Sequence, residues 1–367
     1  MNIPFYATIG TRAQFIKVAP LLRMMIDQGM KYELIFTAQH RETIDEILKV
    51  YNLPWPDKVM YKYDEANTRP KFLTWFLAVL KECLFHSKKW LPKKGIVLSH
   101  GDTFTTWMTS LMGRIRGCKV AHLESGLRSF NLFRPFPEEI SRLLTFSLTN
   151  IYFCETKSAY NNLKKYKGDK IILGTNTIYD AVKFALKSKH KTKFDFQKRK
   201  YIICSIHRYE NIFTSRLTDK ILPWIHKVSK DILVVITLHP TTRERLIKLN
   251  LFNKLKKTKN IILHKRFDFL DWINVCRKAE FIISDGGSNQ EELAILGTPT
   301  LLFRTETERK DGFKRNIVLS MFDDKVISKF VKNYKKYKRS IFKLKFTPSQ
   351  VIIDYLRKLK YSDLFEK

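Results

Sequence analysis

Apolar residues along this chain arrive in short runs, and almost every run is followed by a stretch where they recur at helical spacing. NIPFYATIG, residues 2–10, reads as an apolar strand. In the following GTRAQFIKVAPLLRMMIDQG, residues Phe15, Val18, Leu21, Leu22, Met25 and Ile26 fall on one helix face, and Gly29 is placed to end the helix. KYELIFTAQH is a second strand, and RETIDEILKVYNLP is a short amphipathic helix stopped by Pro54. Strand, helix, strand at this spacing is a βαβ unit, and repeated units imply a parallel sheet with helices on both faces. After a polar loop over 61–70 and a helix over 71–86, the runs GIVLSHGD, KVAHLE, NIYFCET and KIILG supply further strands.

The pattern breaks between Thr175 and Lys200. A helix through Tyr179–Leu186 leads into SKHKTKFDFQKRK, which is basic and has no apolar periodicity. The alternation then restarts with YIICSIH, a helix over 215–229, ILVVITLHP, a helix from Thr242, NIILHKR and a helix over 270–278. FIISDGG, a helix over 289–296, TPTLLFR and a last helix over 348–359 complete it. The expectation is an N-terminal Rossmann-like domain over 1–180, a C-terminal Rossmann-like domain over 181–345, and a terminal helix within 346–367 that packs back on the first. The fold class is therefore α/β, with two doubly wound domains in a GT-B arrangement and the site in the interdomain cleft, where the carboxyl ends of both sheets meet. The length, 367 residues, fits two domains of roughly 150–200 residues.

Composition narrows the picture. No apolar run reaches the ~20 residues of a membrane span, and the N-terminus lacks a basic segment before its first apolar run, so it reads as a strand. Five dispersed cysteines without a CxxC pair fit reduced, buried thiols in a cytoplasmic protein and give no metal signature. The formal net charge of +33 attracts anions. It is spread along the chain without a nucleic-acid module, which argues against DNA or RNA as a partner. Its densest stretch, KFVKNYKKYKRSIFKLKF from Lys329, alternates aromatic and basic residues, a mixture that suits peripheral contact with an anionic membrane at its inner face.

The candidate chemistry sits where strands end. Gly10-Thr11-Arg12 opens a helix whose N–H groups favour an anion, with Arg12 and Lys17 adding charge, although most such turns are structural. Asp285-Gly286-Gly287-Ser288 ends a strand before NQEELAIL, where two glycines admit close approach of a diphosphate and Glu292 can accept from hydroxyls. The alternative is an ordinary turn with acids set for the helix dipole. His207 ends YIICSI in HRYEN and can move protons near neutrality, or simply cap a loop. Asp102 before Thr103 reads as an N-cap, and Glu138 after Pro137 as a helix start. Glu124, ending an apolar strand before Ser-Gly, has no capping role. Carboxylates enclosed in a cleft have raised pKa values, as a general acid or base needs.

Taken together these segments resemble the non-hydrolysing UDP-N-acetylglucosamine 2-epimerases. GTRAQFIKVAPL is similar to that family's GTRPEAIKMAPL. TAQHRETIDEIL, HGDTFTTWMTSL, HLESGLRS, PEEISRLLT, GTNTIYDA, HRYEN, LHP, QEE and TER follow in family order. RAQFIK, ESGLRSFN and HRYEN lean toward the branch acting on diacetamido-uronic acid nucleotides. The resemblance implies elimination of UDP across C1–C2 of a UDP-2-acetamido sugar and its re-addition with C2 inverted, without a cofactor, in supply of surface polysaccharide synthesis. It implies Asp102, Glu124 and Glu138 as the acid/base set and His207 as an aid to UDP departure. Arg12, Lys17, Arg142, Gly286, Gly287, Ser288, Glu292 and Arg309 would bind the UDP-sugar. Gln39, Glu42 and Arg208 match a regulatory UDP-sugar site of some members, and a homodimer is implied. Three positions depart from the family: DGGS stands for DSGG, Ala13 for a proline, and Lys310 for the proline of TERP. The DGGS change and the net charge favour the alternative, a GT-B glycosyltransferase with a UDP-sugar donor and a membrane-associated glycan or lipid acceptor. The intact set of Asp102, Glu124, Glu138 and His207 favours the epimerase, since an inverting transferase needs only one base.

Overall fold

The computed structural model describes residues 3–40, 44–63, 65–66, 68–133, 136–190, 192, 194–307 and 309–365. The chain forms two compact units, one of residues 1–181 with 345–367 and one of residues 182–344. The first holds β1 (Phe5–Ile9), β2 (Glu33–Phe36), β3 (Lys58–Val59), β4 (Ile96–His100), β5 (Lys119–Ser125), β6 (Ile151–Cys154) and β7 (Asp169–Ile172). They make one seven-stranded parallel sheet in the order β3-β2-β1-β4-β5-β6-β7. β1 and β4 are buried along their whole length. This is why they read as unbroken apolar runs: a parallel strand is covered on both faces.

The helix Arg12–Asp27 carries Phe15, Val18, Leu21, Leu22 and Met25 inward as the spacing predicts, while Ile26 is exposed at its edge. Thr11 caps it through Gln14 in a capping box, and Gly29 follows the end with a φ of +73°. The helix Pro348–Lys358 packs on this one. Gln28 donates to Gln350 at 2.9 Å, Arg357 donates to the Gln28 carbonyl at 2.7 Å, and the Ser349 N–H donates to Asp180 at 2.8 Å.

The second unit holds β8 (Tyr201–Ser205), β9 (Leu233–Leu238), β10 (Ile261–Lys265), β11 (Ile282–Ser284), β12 (Thr300–Leu302) and β13 (Ile317–Leu319). Its parallel sheet runs β10-β9-β8-β11-β12-β13. β3, β13 and the helix Asp324–Asn333 are elements that the sequence pattern did not predict. In that last helix Ile327 and Phe330 are buried, and Val331, Tyr334 and Tyr337 pack against the same core while Lys329, Lys332, Lys335, Lys336 and Lys338 face outward. Three of the five aromatic residues of the basic stretch thus pack in or against the core, while Phe346 is exposed. Among the described residues no helix is long and apolar enough to cross a membrane.

In each sheet the strand order reverses once, between β1 and β4 and between β8 and β11. Loops leaving the carboxyl ends of such a pair diverge and leave room for a ligand.

Candidate active site

Arg12, Lys17 and Asp102 follow the strands of the first reversal and His207, Gly286, Gly287 and Ser288 those of the second, while Glu124 ends β5 and Glu138 starts a later helix. In the first unit the loops after β1 and β4 are sewn together by one side chain. Gln14 accepts from the N–H groups of Gly10 and Thr11 at 3.0 and 3.2 Å. Its amide donates to the His100 carbonyl at 2.7 Å and to the hydroxyls of Thr103 and Thr106 at 2.9 and 3.0 Å. The loop carrying Arg12 and the loop carrying Asp102 therefore hold a fixed spacing.

Glu124 is not an ordinary strand residue. Its φ is +61°, and the ladder from β5 to β6 slips between Leu123 and Ser125. A non-glycine residue in this left-handed region costs about 1–3 kcal/mol, and a bulge re-aims the side chain it carries. Here the carboxylate, on a residue only 7% exposed, accepts from Lys17 Nζ at 2.5 Å, with His100 Nε2 at 3.5 Å from the same oxygen. Lys17 and Arg12 lie on the same helix and both are buried, Arg12 donating to Glu46 at 2.9 Å.

Asp102 is not the N-cap that its position predicts. Thr103 caps the helix Phe104–Ile115 instead. Asp102 accepts from Arg142 Nη2 at 2.6 Å and Nε at 3.0 Å, and the same guanidinium donates to Glu139 at 3.1 Å. Burial alone would lower the Arg142 pKa, but the two carboxylates outweigh it and raise it. Glu139 is fully buried and also accepts from the Ser129 N–H at 2.9 Å and from Arg128. Burial would raise its pKa, yet these donors hold it below the usual carboxylate range. Glu138 begins the helix Glu138–Leu148 after Pro137 and is half-buried.

The sequence reading missed four residues of this cluster: Glu139, Gln14, His100 and His122. Glu139 and Arg142 sit at i, i+3, a spacing that signals a helical ion pair. Thr11-x-x-Gln14 is a capping-box spacing that signals the helix start but not the bonds to the loop after β4; the two histidines carry no local signal.

In the second unit Asp285 is fully buried, and its carboxylate bonds to the HRYEN turn. It accepts from the N–H groups of His207 and Arg208 at 3.1 and 2.9 Å and from the Asn211 amide at 2.9 Å. His207 Nδ1 stands 3.2 Å from its Oδ1. The HRYEN turn is thereby pinned to the end of β11. Enclosure lowers the His207 pKa, with Asp285 opposing. Gly286 has an unstrained φ of −79°, so it is glycine for space: a Cβ would stand 2.8 Å from His207 Cε1.

The helix after it starts at Gly287, two residues earlier than predicted, so Gly287 and Ser288 lie in its first turn, where N–H groups favour an anion. Arg309 is buried, pairs with Glu291, and has its Nε 4.0 Å from where a Gly287 Cβ would be. Glu292 is buried and accepts from Trp272 Nε1 at 2.6 Å. Of the regulatory set, Gln39 is half-buried after β2 and Arg208 donates to Glu210 at 3.1 Å; Glu42 lies outside the described residues.

The family model for UDP-N-acetylglucosamine 2-epimerase matches residues 23–346. The UDP-N-acetylglucosamine 2-epimerase of Methanocaldococcus jannaschii is 31% identical over 334 residues, covering 86% of this chain and 88% of its own. That of Campylobacter jejuni is 32% identical over 331 residues, covering 84% and 83%. Among solved structures, UDP-GlcNAc 2-epimerase from Neisseria meningitidis bound to UDP-GlcNAc aligns with a TM-score of 0.82 at 26% identity, over 97% of this chain and all of that one. With two Rossmann-like sheets, Asp102 after one strand reversal and the glycine-led helix after the other, the chain belongs to the UDP-N-acetylglucosamine 2-epimerase family, isomerases that act on nucleotide sugars.

Proposed function

We propose that the protein interconverts UDP-GlcNAc, or a related UDP-2-acetamido sugar, and its manno epimer. The observation that carries this reading is the buried Glu124 carboxylate, held on a strained bulge against Lys17 and His100. Strained, desolvated acids of this kind cluster at sites where chemistry uses them. In the forward half-reaction a base removes the proton on C2, the C1–O bond breaks, and UDP leaves with the bonding electrons, giving a 2-acetamidoglucal. In the return half-reaction C2 takes a proton on its other face while a phosphate oxygen re-forms the bond to C1. Two proton-transfer groups are required, and Asp102, Glu124 and Glu138 are assigned to them. His207 assists departure of UDP, Arg12 and Lys17 hold phosphate and sugar, and Arg142 orients Asp102. In the second unit the first turn at Gly286, Gly287 and Ser288 takes the diphosphate with Arg309 beside it, and Glu292 takes the ribose.

The test is incubation with UDP-GlcNAc in deuterated water, followed by NMR. Deuterium at C2 with growth of the manno epimer is the expected result. Turnover only after a glycan or lipid acceptor is added would replace this reading with glycosyl transfer.

The protein is further assigned a homodimer. On the helix Arg69–Phe85, Leu73, Leu77 and Leu84 are exposed and Leu80 is half-buried. Their spacing of four, three and four residues is the same in both directions. A second copy laid antiparallel therefore meets leucine with leucine about a two-fold axis. Leu77→Glu is expected to give monomers by analytical ultracentrifugation; a wild-type monomer would refute the assignment.

A further inference from the structure

His122 lies two residues before Glu124 on β5 and is completely buried. Its Nε2 is 2.7 Å from the carbonyl oxygen of Gly101, the residue before Asp102. Its Nδ1 is 2.9 Å from the hydroxyl of Ser125, the residue after Glu124. A carbonyl only accepts, so Nε2 carries the proton, and Nδ1 is left to accept from Ser125. Gly101 returns a bond across the same gap, its N–H donating to the Leu123 carbonyl at 3.0 Å. The imidazole thus closes a clasp around the bulge: Leu123 is tied to Gly101 on one side of Glu124, and Ser125 is tied through the ring to Gly101 on the other.

We propose that His122 is a positioning residue for the proton transfer at C2, holding Glu124 in its left-handed conformation and fixing its spacing from the Asp102 loop. The proposal rests on the epimerase reading for its kinetic consequence, and on the clasp geometry alone for its structural one. Two facts favour it over a role as inert filling. A left-handed glutamate relaxes toward the extended region unless its neighbours over-determine it, and the ring bonds supply that determination at the one place where the β5–β6 ladder lapses. The ring also stays neutral, as a donor at one nitrogen and an acceptor at the other must: burial lowers its pKa to about 4.

The experiment compares wild type, His122→Phe, which keeps a ring and loses both bonds, His122→Gln, which can donate and accept, and Ser125→Ala, which removes one bond. C2 deuteration and epimerisation give kcat and KM, titration calorimetry gives UDP affinity, and crystal structures give the Glu124 backbone. With the general base displaced by about 1 Å, kcat for His122→Phe falls about 100-fold, while KM and UDP affinity stay within about threefold. His122→Gln recovers at least a tenth of wild-type kcat, and Ser125→Ala loses about tenfold. In the His122→Phe crystal Glu124 has left the positive-φ region.

A folded His122→Phe with wild-type kcat, or with Glu124 unmoved, overturns the proposal. So does a loss in His122→Gln as deep as in His122→Phe. If His122→Phe does not fold, Ser125→Ala decides: full activity overturns it. A wild type that never exchanges C2 sinks the epimerase reading, and the Glu124 backbone in the variant crystals then judges the clasp by itself.

Discussion

Replacing Gly286 by alanine adds one methyl group in a place where stability and catalysis should part company. The backbone there, at φ −79° and ψ 134°, accepts any residue, and alanine narrows the unfolded ensemble by about 0.4–1 kcal/mol. Against this, the new Cβ would stand 2.8 Å from His207 Cε1 and 3.2 Å from the Cγ and Nδ2 of Asn289. Carbon contacts settle near 3.5 Å, so something moves by about 0.7 Å. Asn289 is tied by its amide to the hydroxyls of Ser205 and Ser284. The His207 side chain is 36% exposed and gives way first, leaving the 3.2 Å approach to Asp285. A rotation into solvent costs at most about 1 kcal/mol, so the melting temperature should stay within about 3 °C of wild type. A group that aids bond cleavage tolerates no such shift, and kcat should fall about 10- to 100-fold. Epimerisation kinetics beside a thermal melt check both halves. Unchanged kcat at an unchanged melting temperature would remove His207 from the reacting bond. A drop of more than about 6 °C would show that the backbone yields and the ring does not, contrary to the steric argument.

Glu124→Gln should abolish C2 deuteration while leaving UDP affinity by calorimetry within about twofold; lost UDP binding would make the residue structural. Arg142→Met strips a guanidinium from Asp102 and from buried Glu139 and should destabilise the protein by about 3 kcal/mol in urea unfolding. Trp272→Phe deletes the donor that fixes Glu292, and UDP affinity should weaken several-fold with little change in fold. His122 gives a pH signature. Its pKa in the folded protein is about 4, below the ordinary 6.5, so the unfolded chain binds the extra proton between those values. The stability it contributes is full above about pH 6.5 and is lost as pH falls toward 4, about 3 kcal/mol in all. Urea unfolding at pH 7 and pH 4.5 should show this acid loss in wild type and a smaller one in His122→Gln.

Most of the architecture was legible because parallel strands covered on both faces leave unbroken apolar runs, as at IVLSH and LVVITL, and helices leave a 3.6-residue rhythm. The helix Asp324–Asn333 escaped although Ile327, Phe330, Val331 and Tyr334 keep that rhythm, because the lysines between them draw the eye to charge. β3 is two residues long, too short for a period to show. At the site, Glu124 stood out as an acid ending a strand with no capping role. Asp102 was misread because two N-cap candidates adjoin, and the choice of Thr103 depends on Arg142, forty residues away. The capping-box half of Gln14 is a linear pattern, but its bonds to His100, Thr103 and Thr106 and those of His122 reach residues distant in sequence or across a bulge, which no linear pattern records.

The helix Pro348–Lys358 buries Ile352, Ile353 and Leu356 within the first unit, yet it is written after the whole of the second. During synthesis the intervening residues 182–344, a continuous stretch, can emerge and fold while the N-terminal unit still lacks a piece. At roughly 5–20 residues per second that wait is about ten to thirty seconds. The half of the protein that is made first is therefore finished last. For that interval the face of the helix Arg12–Asp27 on which the terminal helix will pack is a surface that nascent-chain chaperones can reach and that a stalled ribosome would leave uncovered.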